Sequence, residues 1–426
     1  MAKCACVKSE LDLFSLPLTQ ESIQSGYWVE FKPVASLTDT APIEFNVSGS
    51  GDDYIDLANT FLHVQAKIVR ANGQPLTAED NVGPVNYWLN SLFSQIDVSM
   101  NDTMITSSNN TYPYRALLEA LLSFGEEAKK THLTSALWYK DEEMESLTEN
   151  PGFTARKAYS NLSKTVDMMG KLHLDITNQD RYLLNGVDMH IRLVRSRDAF
   201  SLMSDKAEYK VDIEDASLYI RRAKINPAVQ LGHIKALEVT PAKYPIQRVD
   251  VKAYTLSAGS RSFVQENLFF GQLPKRLVLA LVDNSSYNGH IGKNPFNFKH
   301  HKLNHLAVYL DGQQIPSRPL KPNFEKNINV RSYANLFIGT GKFYEDEGNN
   351  ISRENFTNGH SLFAFDMTPD LSADAGLFNS IKQGNLRVEL SFAEELPNSV
   401  NLLVYAEFNN IIEIDRNRNI FVDYRA

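Results

Sequence analysis

A strand-and-turn segment, Ile96-Asp97-Val98-Ser99-Met100-Asn101-Asp102, returns 210 residues later as Leu306-Ala307-Val308-Tyr309-Leu310-Asp311-Gly312. Ile105 then falls on Ile315 at the same spacing. A repeat of this length means that one folded unit is built twice, so it constrains the fold more than any local motif. Further landmarks keep the same order. Upstream, Leu62-His63-Val64-Gln65-Ala66 matches Leu277-Val278-Leu279-Ala280-Leu281, and downstream Tyr114-Arg115-Ala116 matches Val330-Arg331-Ser332. Leu121, Leu122 and Gly125 then fall on Phe337, Ile338 and Gly341.

Within each copy the apolar residues alternate with polar ones. Tyr27, Val29 and Phe31 alternate, as do Ile43, Phe45 and Val47, and Met189, Ile191 and Leu193. A period of two gives each strand one buried and one wetter face, as in antiparallel sheets. The regular crossover helices of a parallel sheet are missing. The clearest helix starts near Pro113 and carries Leu117, Leu118, Leu121 and Leu122 on one face before Gly125.

The last third admits two alignments. One lays Gly170-Lys171-Leu172-His173-Leu174 on Gly384-Asn385-Leu386-Arg387-Val388 and leaves Leu218 without a counterpart. The other pairs Leu172, Leu174, Asp175 and Thr177 with Phe363, Phe365, Asp366 and Thr368, then Met189 to Leu193 with Leu386 to Leu390, then Leu218-Tyr219 with Val404-Tyr405. We adopt the second, because every strand-like segment finds a partner. It gives the first copy about 25 extra residues between Gly125 and Leu172, expected as a long surface loop.

Each copy then holds about eight strands over about 200 residues, the size of a jelly roll. The predicted fold is all-β: two tandem eight-stranded jelly-roll β-sandwiches, a double jelly roll, with short helices in loops. The predicted units are an N-terminal arm (1–20), a first roll (21–225) and a second roll (226–426). The boundary falls between Arg222 and Tyr244, where Asn226-Pro227, Pro241 and Pro245 punctuate the chain. Three such chains in a ring would present six similar units, so a threefold assembly can fill a site with sixfold neighbours.

Composition narrows the function. A formal charge of −8 over 426 residues argues against a polycationic protein that wraps nucleic acid. Both cysteines, Cys4 and Cys6, lie in the arm, where a bridge between them could not staple a fold of this size. As a C-x-C pair they lack a second pair of metal ligands. Seven Asn-x-Ser/Thr sequons, at Asn46, Asn101, Asn109, Asn161, Asn284, Asn350 and Asn355, matter only in a secreted chain, and no signal-peptide core is evident. The longest aliphatic run, residues 277–282, is far short of a membrane span. The chain reads as soluble, from a reducing compartment, with no membrane span.

Pro274-Lys275-Arg276-Leu277-Val278-Leu279-Ala280-Leu281-Val282-Asp283-Asn284, then Tyr287-Asn288-Gly289 and Asn294-Pro295-Phe296-Asn297-Phe298, carry a family resemblance. So do Asp311-Gly312 through Ile315-Pro316, Ser332-Tyr333-Ala334-Asn335-Leu336-Phe337 and Phe365-Asp366-Met367-Thr368-Pro369-Asp370. In the first half, Ser25-Gly26-Tyr27-Trp28-Val29-Glu30-Phe31-Lys32-Pro33 and Leu184-Asn185-Gly186-Val187-Asp188 add to it. Together, over residues 16–424, the chain resembles the double jelly-roll major capsid proteins of Polinton/Maverick elements and adintoviruses.

The resemblance implies a non-enzymatic structural subunit. It implies homotrimers that form pseudo-hexameric capsomers of an icosahedral shell around double-stranded DNA, with neighbouring capsomers and a single jelly-roll penton protein as partners. It implies a place in the virion, with assembly inside the host cell. It brings no catalytic, cofactor-binding or metal-binding residues and no cofactor.

His301 and His305 would share a helix face as zinc ligands do, but beside His300 they lead into a strand, where the two stand about 13 Å apart. Gly339-Thr340-Gly341-Lys342 lacks phosphate-loop spacing and follows a helix-like segment. Asp52-Asp53, Glu142-Glu143 and Glu345-Asp346-Glu347 read as solvated faces. Arg221-Arg222 with Lys224, and Lys299 with Lys302, could give weak contacts with packaged DNA on an inner surface, or serve as rim charges at an interface. Leu11, Leu13, Phe14, Leu16 and Leu18 make an apolar arm that must bury itself, beneath its own sandwich or on a neighbouring subunit. The alternative reading is a carbohydrate-binding or carbohydrate-active β-sandwich, which needs aromatic platforms; Trp28, Trp88 and Trp138 all lie in the first half. A host-domesticated copy that keeps the fold without assembling is a third.

Overall fold

The computed structural model describes residues 13, 19–38, 41–49, 51–106, 109–206, 208–374, 376 and 378–422. Cys4, Cys6 and all of the arm before Thr19 except Leu13 lie outside the described residues.

Eight strands build the first half: β1 (Ile23–Phe31), β2 (Ile43–Val47), β3 (Tyr54–Arg70), β4 (Phe93–Met100), β5 (Thr103–Met104), β6 (Val166–Lys171), β7 (Met189–Arg195) and β8 (Tyr209–Ile225). Eight more build the second: β9 (Ala242–Leu256), β10 (Ser262–Gln265), β11 (Arg276–Asp283), β12 (Leu303–Leu310), β13 (Gln313–Leu320), β14 (Leu362–Asp366), β15 (Leu386–Phe392) and β16 (Val400–Ile414). The first half pairs them as β1-β8-β3-β6 and β2-β7-β4-β5, the second as β9-β16-β11-β14 and β10-β15-β12-β13. Adding eight to each number converts one half into the other. Every ladder is antiparallel, so the fold is two jelly rolls in tandem, as the periodicity predicted. Minor strands lie outside this plan: Ile420–Val422 pairs with β16, and Val82–Pro84 with Leu202–Ser204.

The repeat holds to single residues around β4 and β12. Ile96 faces Leu193 and Leu306 faces Leu390, and both ladders shift register at the same place, after Phe93 and after Leu303. The hairpins that follow carry positive φ at Asn101 and Asp102 and at Asp311 and Gly312, the two-residue turn whose twist matches the strands. Asn101 and Asp188 exchange bonds, the Asn101 N–H to Asp188 O (3.0 Å) and the Asp188 N–H to Asn101 Oδ1 (2.8 Å). Asp311 and Asn385 exchange the same two, at 2.9 and 2.7 Å.

Among the described residues, four helices of eight residues or more connect the strands: α1 (Tyr112–Ser123), α2 (Pro151–Ser160), α3 (Pro227–Leu237) and α4 (Val330–Gly339). α1 begins at Tyr112, one residue before the predicted Pro113, and Leu117, Leu118, Leu121 and Leu122 are buried. Its repeat partner α4 lies close on β14. A Cβ at Gly339 would stand 2.4 Å from Ala364 O, so only glycine permits that approach. Gly341 ends α4 with φ +71°, whereas Gly125 after α1 does not take up a left-handed conformation.

Two expectations need correction. The extra residues of the first copy are not a surface loop. They form the short helix Glu126–Lys130, a 3-10 turn at His132–Ala136 and α2, and they bury Trp138, Phe153 and Arg156. Their apolar side chains demand cover, and Asn150 caps α2 by accepting the Phe153 N–H at 3.2 Å. β1 is not half-buried either: as an edge strand paired with β8 alone, it leaves Tyr27 45% and Trp28 50% exposed.

Candidate functional site

Most of the charged and aromatic side chains that sequence reading singled out lie apart, although Lys299 and His301 both meet Asp283; the polar chemistry concentrates at the seam between the rolls. α1 packs on β9 of the second roll. Thr111 Oγ1 donates to Val251 O at 3.0 Å, and Asp175 Oδ1 accepts the Val249 N–H at 3.0 Å. Tyr244 OH donates to Tyr182 O and accepts the Leu184 N–H, both at 3.1 Å.

A buried relay runs beside these bonds. Arg115 Nε donates to Glu119 Oε1 (2.8 Å), its Nη2 lies 2.7 Å from Asp175 Oδ1, and Glu119 Oε2 is 2.7 Å from His173 Nδ1. His173 Nε2 continues to Tyr87 OH at 2.8 Å. Burial pushes the Glu119 carboxyl up, but Arg115 and His173 outweigh it and hold the group down at about 2. At Asp175 burial wins over Arg115, and the carboxyl is raised. The relay borders a cavity of about 810 Å³ whose far wall includes Arg276 and Glu407. Arg276 is itself engaged: Nε donates to Gly339 O (3.1 Å), Nη2 to Asp374 (2.9 Å) and Nη1 to Glu407 (3.4 Å). Charges paired in this way across the seam favour one register of the two surfaces.

The insertion of the first copy is the second half of the seam. Lys129 Nζ donates to Leu121 O (2.8 Å) and to Asn349 O of the second roll (2.6 Å), with Trp138 beneath it. Burial, with Lys140 nearby, pulls it down to about 7. Lys140 Nζ donates to Asn350 O (2.8 Å) and Asn355 Oδ1 (2.6 Å), and burial lowers it as well. Asp141 accepts from Arg156 at 2.8 Å and from Asn294 of the second roll at 3.0 Å; Arg156 is fully buried. Glu145 accepts from Lys299 at 2.7 Å. Sequence reading missed this clasp; an Asn ahead of Pro, as at Asn150 and Pro151, is the one local signal that could have pointed to its helix.

The motifs noted earlier fall into ordinary structural roles. His300 stacks on Phe324 at 3.8 Å, and burial lowers it to about 4. His301 lies 3.6 Å from Asp283, and His305 sits in β12. Among the described residues no cluster of three or more His, Cys, Asp or Glu is placed to hold a metal. Lys342 follows α4 in a turn closed by Gly341. Glu142, Glu143 and residues 345–347 are exposed, while Asp53 accepts from Tyr27 OH at 2.5 Å. Arg221 pairs with Asp56 (2.8 Å) and Arg222 donates to Ser48 O; Lys224 is exposed. Lys299 pairs with Glu145 and Asp283, and Lys302 with Glu325 and Glu394. Trp88 and Trp138 are core residues, which leaves Trp28 as the surface tryptophan.

No family model matches the chain. It is similar to the uncharacterized protein F54H12.2 of Caenorhabditis elegans, 27% identical over 423 residues that cover 96% of this chain and 99% of that protein. Its fold is similar to the cryo-EM structure of the Sputnik virophage (TM-score 0.65, 12% identity, 100% of this chain and 94% of that one). It is also similar to the Faustovirus major capsid protein (TM-score 0.59, 9% identity, 94% and 92%). The mavirus major capsid protein gives a TM-score of 0.54 at 11% identity, over 99% of this chain and 95% of that one. At these identities the likeness is one of fold. No helix among the described residues is long and apolar enough to cross a membrane.

Proposed function

We propose that this chain is a major capsid protein, a structural subunit that works by assembly and not by chemistry. One observation carries the reading: the two halves share a single strand order, so three chains supply six equivalent sandwiches. The major capsid proteins of Faustovirus and mavirus share this fold over almost their whole length, which supports it.

On this reading the chain comprises an arm (1–20), a first roll (21–225) and a second roll (226–426), and homotrimers form pseudo-hexameric capsomers of an icosahedral, DNA-filled shell. Neighbouring capsomers and a single jelly-roll penton protein complete that shell in the virion, after assembly inside the host cell. The half-exposed Tyr27 and Trp28 on edge strand β1 supply apolar area for a sandwich flank. A stable flank-to-flank contact would bury more than about 1,000 Å². Contacts with packaged DNA would be weak, because most of the basic side chains noted above already hold partners. The resemblance of the sequence to Polinton/Maverick and adintovirus proteins, together with a near full-length relative in a nematode, supports a copy carried by an animal genome. Negative-stain electron microscopy of the purified protein should show hexagonal capsomers about three chains in mass. Fields of isolated single chains at micromolar concentration would contradict the assignment.

A further inference from the structure

The seam inside the chain joins opposite ends of the two sandwiches. In the first roll the sheet runs β1-β8-β3-β6, and the surface that meets the second roll, α1 with residues 172–177, lies at the β6 end. In the second roll the sheet runs β9-β16-β11-β14, and its other end, edge strand β9, receives that surface. One end of each kind is left over: β1 on the first roll, and α4 with residues 367–372 after β14 on the second.

The ladder registers fix which residues correspond. The repeat sets Phe61 on Arg276, and their partners in the next strand are Lys171 and Asp366. Leu174-Asp175-Ile176-Thr177 thereby falls on Pro369-Asp370-Leu371-Ser372, with the acid, the branched apolar residue and the hydroxyl in one order. The helix spacing sets Tyr112 on Ile328 and Tyr114 on Val330. Within the seam Ile176, Tyr112 and Tyr114 are buried, and Tyr114 stacks on Tyr287 of the second roll at 5.5 Å. Their counterparts Leu371, Ile328 and Val330 are 66%, 63% and 50% exposed. On the receiving side Phe61 faces Tyr219 and Arg276 faces Glu407, so Glu30 corresponds to Val249 and Trp28 to Gln247. Gln247 and Val249 border the seam cavity, whereas Trp28 is half exposed with its ring 5.6 Å from that of Phe61. An apolar end and an aromatic edge are uncovered on the two surfaces whose repeat counterparts already fit each other.

We propose that α4 and residues 367–372 of one chain dock on β1 of a second copy, repeating between chains the contact that α1 and residues 172–177 make with β9 inside one. This rests on the capsid reading, which takes the partner to be the same chain. The contact is head to tail, and only a closed ring leaves neither end uncovered. Its polar part is not a copy of the seam. Asn335 stands where Glu119 stands, and Arg331, the counterpart of Arg115, donates to Arg318 O at 2.8 Å and Pro319 O at 2.9 Å. The contact between chains is therefore the more apolar of the two.

The test uses full-length protein carrying C4S, C6S, E30C and D370C, treated with a short bismaleimide. Asp175 accepts the Val249 N–H across the seam at 3.0 Å, so the two engineered thiols should lie within linker reach on neighbouring chains. Denaturing gels should show bands of two and three chain masses, with positions 30 and 370 joined. Variants with only one of the two thiols should stay at a single mass. Links of 30 to 30 or 370 to 370, or no link in a particle of three chains, overturn this contact and leave the capsid reading standing. A light-scattering mass of one chain overturns both. A second variant, L371D, alters an exposed side chain and should leave circular dichroism unchanged while weakening self-association by about tenfold or more in sedimentation. Unchanged association overturns the proposal.

Discussion

Lys129 is the residue whose burial says most about how the rolls are joined. The folded chain holds it at about 7 while an ordinary lysine sits at 10.5. Between those values the unfolded state binds more protons, so stability rises with pH across that window and levels off above it. Raising the pH from about 7 to about 9 should stabilise the wild type relative to K129M by about 2 kcal/mol. Urea unfolding of both proteins at the two pH values measures this difference, and parallel pH profiles would contradict it. Asp141 makes the complementary case. D141A would leave the fully buried Arg156 guanidinium without its carboxylate and Asn294 without its acceptor. The expected loss is about 3–5 kcal/mol in the same assay. Neither residue announced itself in the sequence. Lys129 meets Asn349 and Asp141 meets Asn294 across more than 150 residues of chain, and pairing over such a span leaves no local pattern.

The elements were legible where one face is buried and one is wet. β7 and β15 alternate buried and half-buried residues as read, and α1 shows its leucine face. Legibility fails where a third layer intervenes. β11 is buried along nearly its whole length, so its run of apolar residues has no period. β1 errs the other way, because the alternation of Tyr27, Val29 and Phe31 is not covered within one chain. The matched register also slipped at two strands. With Phe61 set on Arg276, Lys171 falls on Asp366, which places Leu172 on Met367, four residues beyond its expected partner Phe363. Likewise Leu62 faces Leu218 while Leu277 faces Ala406, two residues from the expected Val404. Even-numbered slips preserve the buried face, so alternation cannot detect them. Two substitutions test these elements. G339A should cost about 2 kcal/mol or more, since the new methyl meets the Ala364 backbone and α4 must lift from β14. Thermal unfolding measures it, and an unchanged midpoint would contradict the close packing. W28D should leave the fold intact by circular dichroism yet weaken self-association at least tenfold, as read by sedimentation.

For the molecule as a whole, the repeat was the most reliable signal because it rests on order and not on any single match. The hairpin turns, the register shifts and the reciprocal bonds of Asn101 with Asp188 and of Asp311 with Asn385 bear it out at atomic detail. The seam was illegible for the opposite reason: it belongs to neither copy of the repeat. Relay and clasp tie the two sandwiches together, and on the capsid reading such a joined pair builds a ring of defined symmetry. Multi-angle light scattering of the freshly purified chain at micromolar concentration tests that conclusion most directly. The account predicts about 144 kDa, three copies of 48.1 kDa. A mass that stays at one copy across the accessible concentration range would contradict it.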